Sequence, residues 1–252
     1  MTKMMSIFEN KYLSHIIETM TGCCNADGYG LYYLSITNRM FKNIYQTIVL
    51  NRKRSLMYYN IISMNMTQYI TNATYHIDLS HSDLRDVSVL SGIRIHTLLL
   101  KCTSIDDASA LINVNTLDLS YTNVSNVSML GNVYDLNLSC TKVIDVSALT
   151  KVRILNLCNT GVIDVSMLGA VYDLNLSYTP VVDVSKLGKV HTLNLRCTNV
   201  SNISNLDEVK DLDISCTRVK DISTVNNKRS ITLSSTDNTR SKLSRVVTIN
   251  HD

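Results

Sequence analysis

The sequence predicts an α/β repeat solenoid. Stacked coils would carry a parallel sheet on one face, short turns or 3₁₀ segments on the other, and a small helical region at the amino end. Three observations point there. "VYDLNLSCTKVIDVSALTK" from Val133 returns almost unchanged as "VYDLNLSYTPVVDVSKLGK" from Val171, with the looser "VRILNLCNTGVIDVSMLGA" from Val152 between them. Apolar residues hold the same places in every copy: in the copy opening at Val171 they are Val171, Leu174, Leu176, Val181, Val184 and Leu187. A unit this short cannot bury its own apolar face, whereas stacked units cover one another.

The coils open at Ile95, Val114, Val133, Val152, Val171, Val190 and Val209. An earlier copy opens at Thr74, with two extra residues near Ser91 and Gly92, and a degraded copy begins at Lys228. Within a coil, Leu174-Asn175-Leu176 alternates as a strand does, leucines to one side and asparagine to the other. The remainder lacks helical spacing and carries turn formers, so a turn or one 3₁₀ segment closes each coil. Parallel strands about 4.8 Å apart then stack into a continuous column.

The motif L-x-L-S-x-T-x-V-x-D-V-S-x-L recurs over roughly residues 74 to 236 and resembles the leucine-rich repeat, in its short form without a full helix. The resemblance implies a right-handed, curved solenoid that binds proteins through its parallel sheet. The departure lies after the strand, where the family's usual Asn is replaced by Ser82, Thr103, Thr122, Thr141, Thr160, Thr179, Thr198, Thr217 and Thr236. Hydroxyls there are expected to bond neighbouring turns while burying their methyls. A second column pairs Asp or Asn with Ser two residues later, from Asp86-Ser88 to Asp221-Ser223. Local turn capping explains it better than calcium binding, because no glycine recurs to converge several oxygens on one ion.

The 252 residues are 45% hydrophobic, 18% charged and carry a net charge of +3. That is ample for a core and too weak a charge to favour nucleic acid or an anionic membrane as partner. No stretch approaches the roughly 20 apolar residues of a membrane span, and Glu9, Asn10, Lys11 and His15 interrupt any signal-like run. A cytoplasmic or nuclear chain is expected, its seven cysteines reduced. Cys197 and Cys216 occupy equivalent places on adjacent coils, yet no C-x₂-C pair exists, so free, partly buried thiols are expected and no metal.

Specificity should lie where copies differ and face solvent. On the strand side, one row reads Thr97, Thr116, Asp135, Ile154, Asp173, Thr192, Asp211. The middle row reads Leu99, Asp118, Asn137, Asn156, Asn175, Asn194, Asp213, and the third runs from Lys101 through Ser120 and Ser177 to Arg196 and Ser215. One flank carries His96, Asn115, Tyr134, Arg153, Tyr172, His191 and Lys210, and the other Cys102, Tyr121, Cys140, Asn159, Tyr178, Cys197 and Cys216. Tyrosine and arginine combine area with a polar handle. Tyr134, Arg153, Tyr172 and His191, with Asn137, Asn156, Asn175 and Asn194, are therefore the expected partner-binding residues. No catalytic residue or cofactor is expected: His96 and His191 are five coils apart, about 24 Å by strand spacing, and no phosphate loop, H-E-x-x-H or G-x-S-x-G occurs.

The chain divides into a helical segment 1–50, a connector 51–73, the repeats 74–227, and a degraded repeat with a closing cap 228–252. "ENKYLSHIIETM" places Leu13, Ile16, Ile17 and Met20 on one helical face, and "LYYLSITNRMFKNIYQTIV" resumes helical spacing from Leu31 to Ile48. The span Phe8 to Ile44 resembles an F-box, with Phe41 at the usual aromatic position, although the family's opening Leu-Pro is Phe8-Glu9 here. A plain helical cap over the first repeat would show the same faces. The F-box alternative implies a substrate receptor of a cullin-type ubiquitin ligase, with a Skp1-type adaptor docking on Leu13, Ile16, Ile17 and Phe41. Rich in Asn, Ile and Tyr and without Trp, the chain also resembles leucine-rich repeat proteins of giant DNA viruses of amoebae.

Overall fold

A computed structural model describes residues 46–50, 73–91, 93, 95–223 and 230–232 of the chain. All of them belong to one unit, Gln46–Asp252. Ten strands form one parallel sheet in chain order: β1 Gln46–Leu50, β2 Ala73–Asp78, β3 Ile95–Leu99, β4 Thr116–Asp118, β5 Asp135–Asn137, β6 Ile154–Asn156, β7 Asp173–Asn175, β8 Thr192–Asn194, β9 Asp211–Asp213 and β10 Ser230–Thr232. From β3 onward every pairing advances by 19 residues, Thr97 opposite Thr116 and so on to Asp211 opposite Ser230. The step from β2 to β3 is longer, with Ile77 opposite Leu98 and a register shift at Tyr75/His76. This is the fold of a leucine-rich-repeat solenoid.

The core is the repeat's apolar pattern made solid. Leu155 and Leu157 are 1% and 0% exposed, and the leucines and valines at equivalent places in the neighbouring coils are buried with them. A strand packed inward only at alternate positions explains the Leu-x-Leu spacing. The return side is built from irregular segments and turns, with short 3₁₀ turns at Ser88–Leu90, Ser109–Leu111 and Ser166–Leu168. Each turn buries its last leucine. Coils are also tied beyond the strands, for Leu138 N–H donates to the Asn156 carbonyl at 2.8 Å and Leu157 N–H to the Asn175 carbonyl at 2.8 Å.

Two expectations are corrected. Gln46–Leu50, placed by its spacing at the end of a helix, is strand β1 and pairs with β2 from Gln46/Ala73 to Leu50/Ile77. Over so few residues the spacing of Ile48 fits either element, and the neighbouring strand edge supplies backbone partners that make the extended form win. The sheet thus begins before residue 74. The hydroxyl column also bonds differently: Thr160 Oγ1 donates to the Leu157 carbonyl of its own coil at 2.7 Å, and Thr103, Thr122, Thr141, Thr179 and Thr198 do the same three residues back. Each of these threonines is buried. The side chain is too short to span two coils and satisfies the carbonyl nearest to it.

Candidate functional site

The strand face is built by the outward residues of each coil. Asp135, Asn137, Ile154, Asn156, Asp173 and Asn175 are all half-buried, shielded by the coils on either side. The Asn row has a local purpose. Asn137 Oδ1 accepts the Ser139 N–H at 3.1 Å, Asn156 Oδ1 that of Cys158 at 3.0 Å, Asn175 Oδ1 that of Ser177 at 3.0 Å, and Asn194 Oδ1 that of Arg196 at 2.9 Å. Asp118 and Asp213 cap their strands identically at 2.8 Å. The carboxamide thereby stops the strand and turns the chain, leaving its NH₂ donors and the second lone pair of Oδ1 as what each asparagine can offer a partner. The row two residues on is not a solvent face throughout: Ser120, Ser177 and Ser215 are buried, because the capped turn rotates them inward.

That turn imposes a conformation the sequence does not advertise. His81, Cys102, Tyr121, Cys140, Asn159, Tyr178, Cys197 and Cys216 all lie at φ between 56° and 59°, without a glycine among them. A left-handed residue costs about 1–2 kcal/mol, offset here by a bond to the next coil. Cys140 N–H donates to the Cys158 carbonyl at 2.9 Å and Tyr178 N–H to the Arg196 carbonyl at 2.9 Å. The side chains of this column consequently form one flank of the sheet. On it, Lys101 Nζ lies 5.6 Å from the Tyr121 ring centroid, Asn159 Nδ2 donates to Cys140 Sγ at 3.4 Å, and Arg196 Nε donates to Tyr178 Oη at 3.4 Å. Cys102, Cys140, Cys158, Cys197 and Cys216 are free and half-buried.

The opposite flank holds a ladder. The Arg153 guanidinium carbon sits 4.3 Å from the Tyr172 ring centroid, and the Tyr172 and His191 rings stack at 4.4 Å with 17° between planes. Tyr134 stands next in the row, and its carbonyl accepts the Arg153 N–H at 2.9 Å. Tyr134 is 49% exposed and Tyr172 39%. Stacked rings and a guanidinium in van der Waals contact hold one another in place, so the ladder presents preordered area. Of the residues singled out by sequence, Arg153, Tyr172 and His191 are brought together and Tyr134 adjoins them.

Beside the ladder lie Asp135 and Asp173. Loss of solvent raises the carboxyl of Asp135 above its ordinary value, with Asp118 and Asp173 adding to it. Asp173 is raised for the same first reason, opposed by His191. On the return side the opposite holds. Asp145, Asp164 and Asp183 are lowered, chiefly because each carboxylate accepts the backbone N–H of the serine two residues on, at 2.9, 2.9 and 2.8 Å. The Asp-x-Ser column thus caps turns. Among the described residues no group of three or more His, Cys, Asp or Glu converges as a metal site would require.

Leu13, Ile16, Ile17 and Phe41 lie outside the described residues, as do Cys23 and Cys24. Sequence reasoning missed the exposed apolar residues of the return side, Ile144, Ile163 and Val182. The signal was present in their recurrence beside Asp145, Asp164 and Asp183 on three successive coils only.

Solved structures share this fold. An internalin (InlF) from Listeria monocytogenes superposes with a TM-score of 0.58 and 25% identity, covering 68% of this chain and 57% of the internalin. A leucine-rich repeat protein from Leptospira interrogans superposes with a TM-score of 0.55 and 16% identity, covering 66% of this chain and 50% of that protein. The chain thus spans 57% of the length of the first and 50% of the second. No protein-family model matches the sequence, and it matches no curated protein. Among the described residues no helix is long and apolar enough to cross a membrane.

Proposed function

We propose that the chain is a protein-interaction module, not a catalyst, that holds a protein partner against its strand face and the Tyr134–Arg153–Tyr172–His191 flank. The observation that carries this reading is the stacked ladder: Arg153, Tyr172 and His191 lie in contact at the edge of a polar sheet. Such residues supply area with little ordering cost on binding. The NH₂ groups of Asn137, Asn156, Asn175 and Asn194 would add polar contacts, and Asp135 and Asp173 would favour a partner with basic groups. The fold supports the same reading, since parallel-sheet solenoids offer extended recognition surfaces.

Quantitative co-purification from the native cell tests it. The combined Tyr134→Ala, Arg153→Ala, Tyr172→Ala and His191→Ala variant is expected to keep the native melting temperature within a few degrees and to lose the recovered partner. Recovery of the same partner at the same yield would refute the site. The adaptor reading of the amino-terminal segment rests on sequence resemblance. Its test is retention of the full chain on a Skp1-type adaptor, lost on Phe41→Ala.

A further inference from the structure

The return side carries a feature that the repeat does not require. Ile144, Ile163 and Val182 are 68%, 66% and 55% exposed on three successive coils. The same position is Asp106 and Ser125 before them and Ser201 and Lys220 after them. Coils therefore fold with a polar residue there, and the apolar stripe begins and ends abruptly. Met167, 53% exposed, widens it. Two open hollows lie along the stripe: one of about 230 Å³ lined by Ile144, Asp145, Ser147, Asp164 and Met167, and one of about 290 Å³ whose lining includes Ile163, Val182, Asp183 and Lys186. Met129, 52% exposed, stands alone at the place of Met167 two coils earlier, whereas a continuous apolar row rimmed by polar residues marks an interaction site.

The chemistry of the occupant follows from the rim. Asp145, Asp164 and Asp183 run beside the stripe, each exposed and each fixed by the backbone N–H of a serine. Lys186 acts on Asp183 and shares the second hollow with Asp164, so three carboxylates stand along the stripe against one cation. A second copy offering the same patch would set carboxylates against carboxylates, so complementarity calls for cations. Coils recur about every 4.8 Å, and one helical turn rises about 5.4 Å. A helix lying along the stack thus meets one coil per turn over the three coils of the stripe.

We propose that this stripe docks a basic amphipathic helix of a partner protein, its apolar side chains against Ile144, Ile163, Val182 and Met167 and its lysines or arginines over Asp145, Asp164 and Asp183. The surface is separate from the strand-face site and does not depend on it.

Fluorescence anisotropy on the full chain tests the proposal with two labelled peptides of about 18 residues, long enough to form a helix. One pairs a leucine stripe with lysines, the other pairs the same stripe with glutamates. The lysine peptide is expected to bind and the glutamate peptide to fail. Ile144→Ser, Ile163→Ser and Val182→Ser together, matching what Ser125 and Ser201 already carry, should weaken binding by about tenfold or more. Asp145→Asn, Asp164→Asn and Asp183→Asn, matching Asn126 and Asn202, should weaken it several-fold and flatten its salt dependence. Tyr134→Ala with Tyr172→Ala should leave it unchanged. Equal binding of both peptides, binding of neither, or indifference to either triple variant would overturn the proposal. So would a melting temperature that falls sharply with the serine variant, which would make the stripe a packing element. A native dimer that the serine variant dissociates, without peptide binding, would assign the stripe to self-association instead.

Discussion

Side chains that look alike in the sequence do opposite things to the charge state of the protein. Asp135 on the strand face is half-buried, and its carboxyl is raised from the ordinary 3.8 by loss of solvent first and by the charges of Asp118 and Asp173 second. A raised carboxyl binds its proton more tightly in the folded chain than in the unfolded one. Ionising it therefore removes stability as pH climbs from the unfolded value through the folded one, and nothing is lost below both. Asp135→Asn is expected to be more resistant to urea than the native chain at about pH 7, and no more resistant at about pH 3. An equal gain at both would mean the amide stabilises by shape instead of by removing charge. The burial of Asp135 was not legible in the sequence, which shows a polar residue on an outward row. Nor were the eight left-handed residues from His81 to Cys216, since cysteine and tyrosine carry none of the signal that glycine would.

At the scale of one coil, the inward leucine and the outward asparagine contribute by different means. Leu155 is buried between the register partners Leu136 and Leu174. Leu155→Ala should cost about 2–5 kcal/mol, because neighbouring coils share the cavity. Asn156 holds the Cys158 N–H at 3.0 Å, so Asn156→Ala should cost about 0.5–1.5 kcal/mol through the lost cap. A urea titration of the two variants reads both, and a loss at Asn156 equal to or larger than that at Leu155 would contradict this assignment of faces. Reading outward positions as disposable for stability undervalues the cap, since alternation reveals which way a side chain points and nothing of what it bonds. The same limit misplaced Gln46–Leu50: its short apolar run Ile48-Val49-Leu50 fits a helix or a strand, and only the pairing with Ala73–Asp78 decides. The leucine and valine columns were legible because seven successive 19-residue steps repeat them.

Taken whole, the described chain is a stack in which each coil is held by the two beside it. Strand pairing and the backbone bonds that follow each strand run between neighbouring coils. The repeat therefore specifies shape, and departures from it, the ladder on one flank and the apolar stripe on the return side, are where recognition can be written. This legibility is unequal. Positions required by every coil announce themselves by recurrence, while a surface feature confined to three coils is visible only once the stack aligns it. Energetic coupling in such a stack is short-ranged, and double-mutant cycles measure that directly. Leu155→Ala combined with Leu174→Ala, on facing coils, should show a coupling of about 0.5–3 kcal/mol. Leu155→Ala combined with Leu212→Ala, three coils away, should add within about 0.5 kcal/mol. Coupling of equal size for both pairs would contradict the stacked coil.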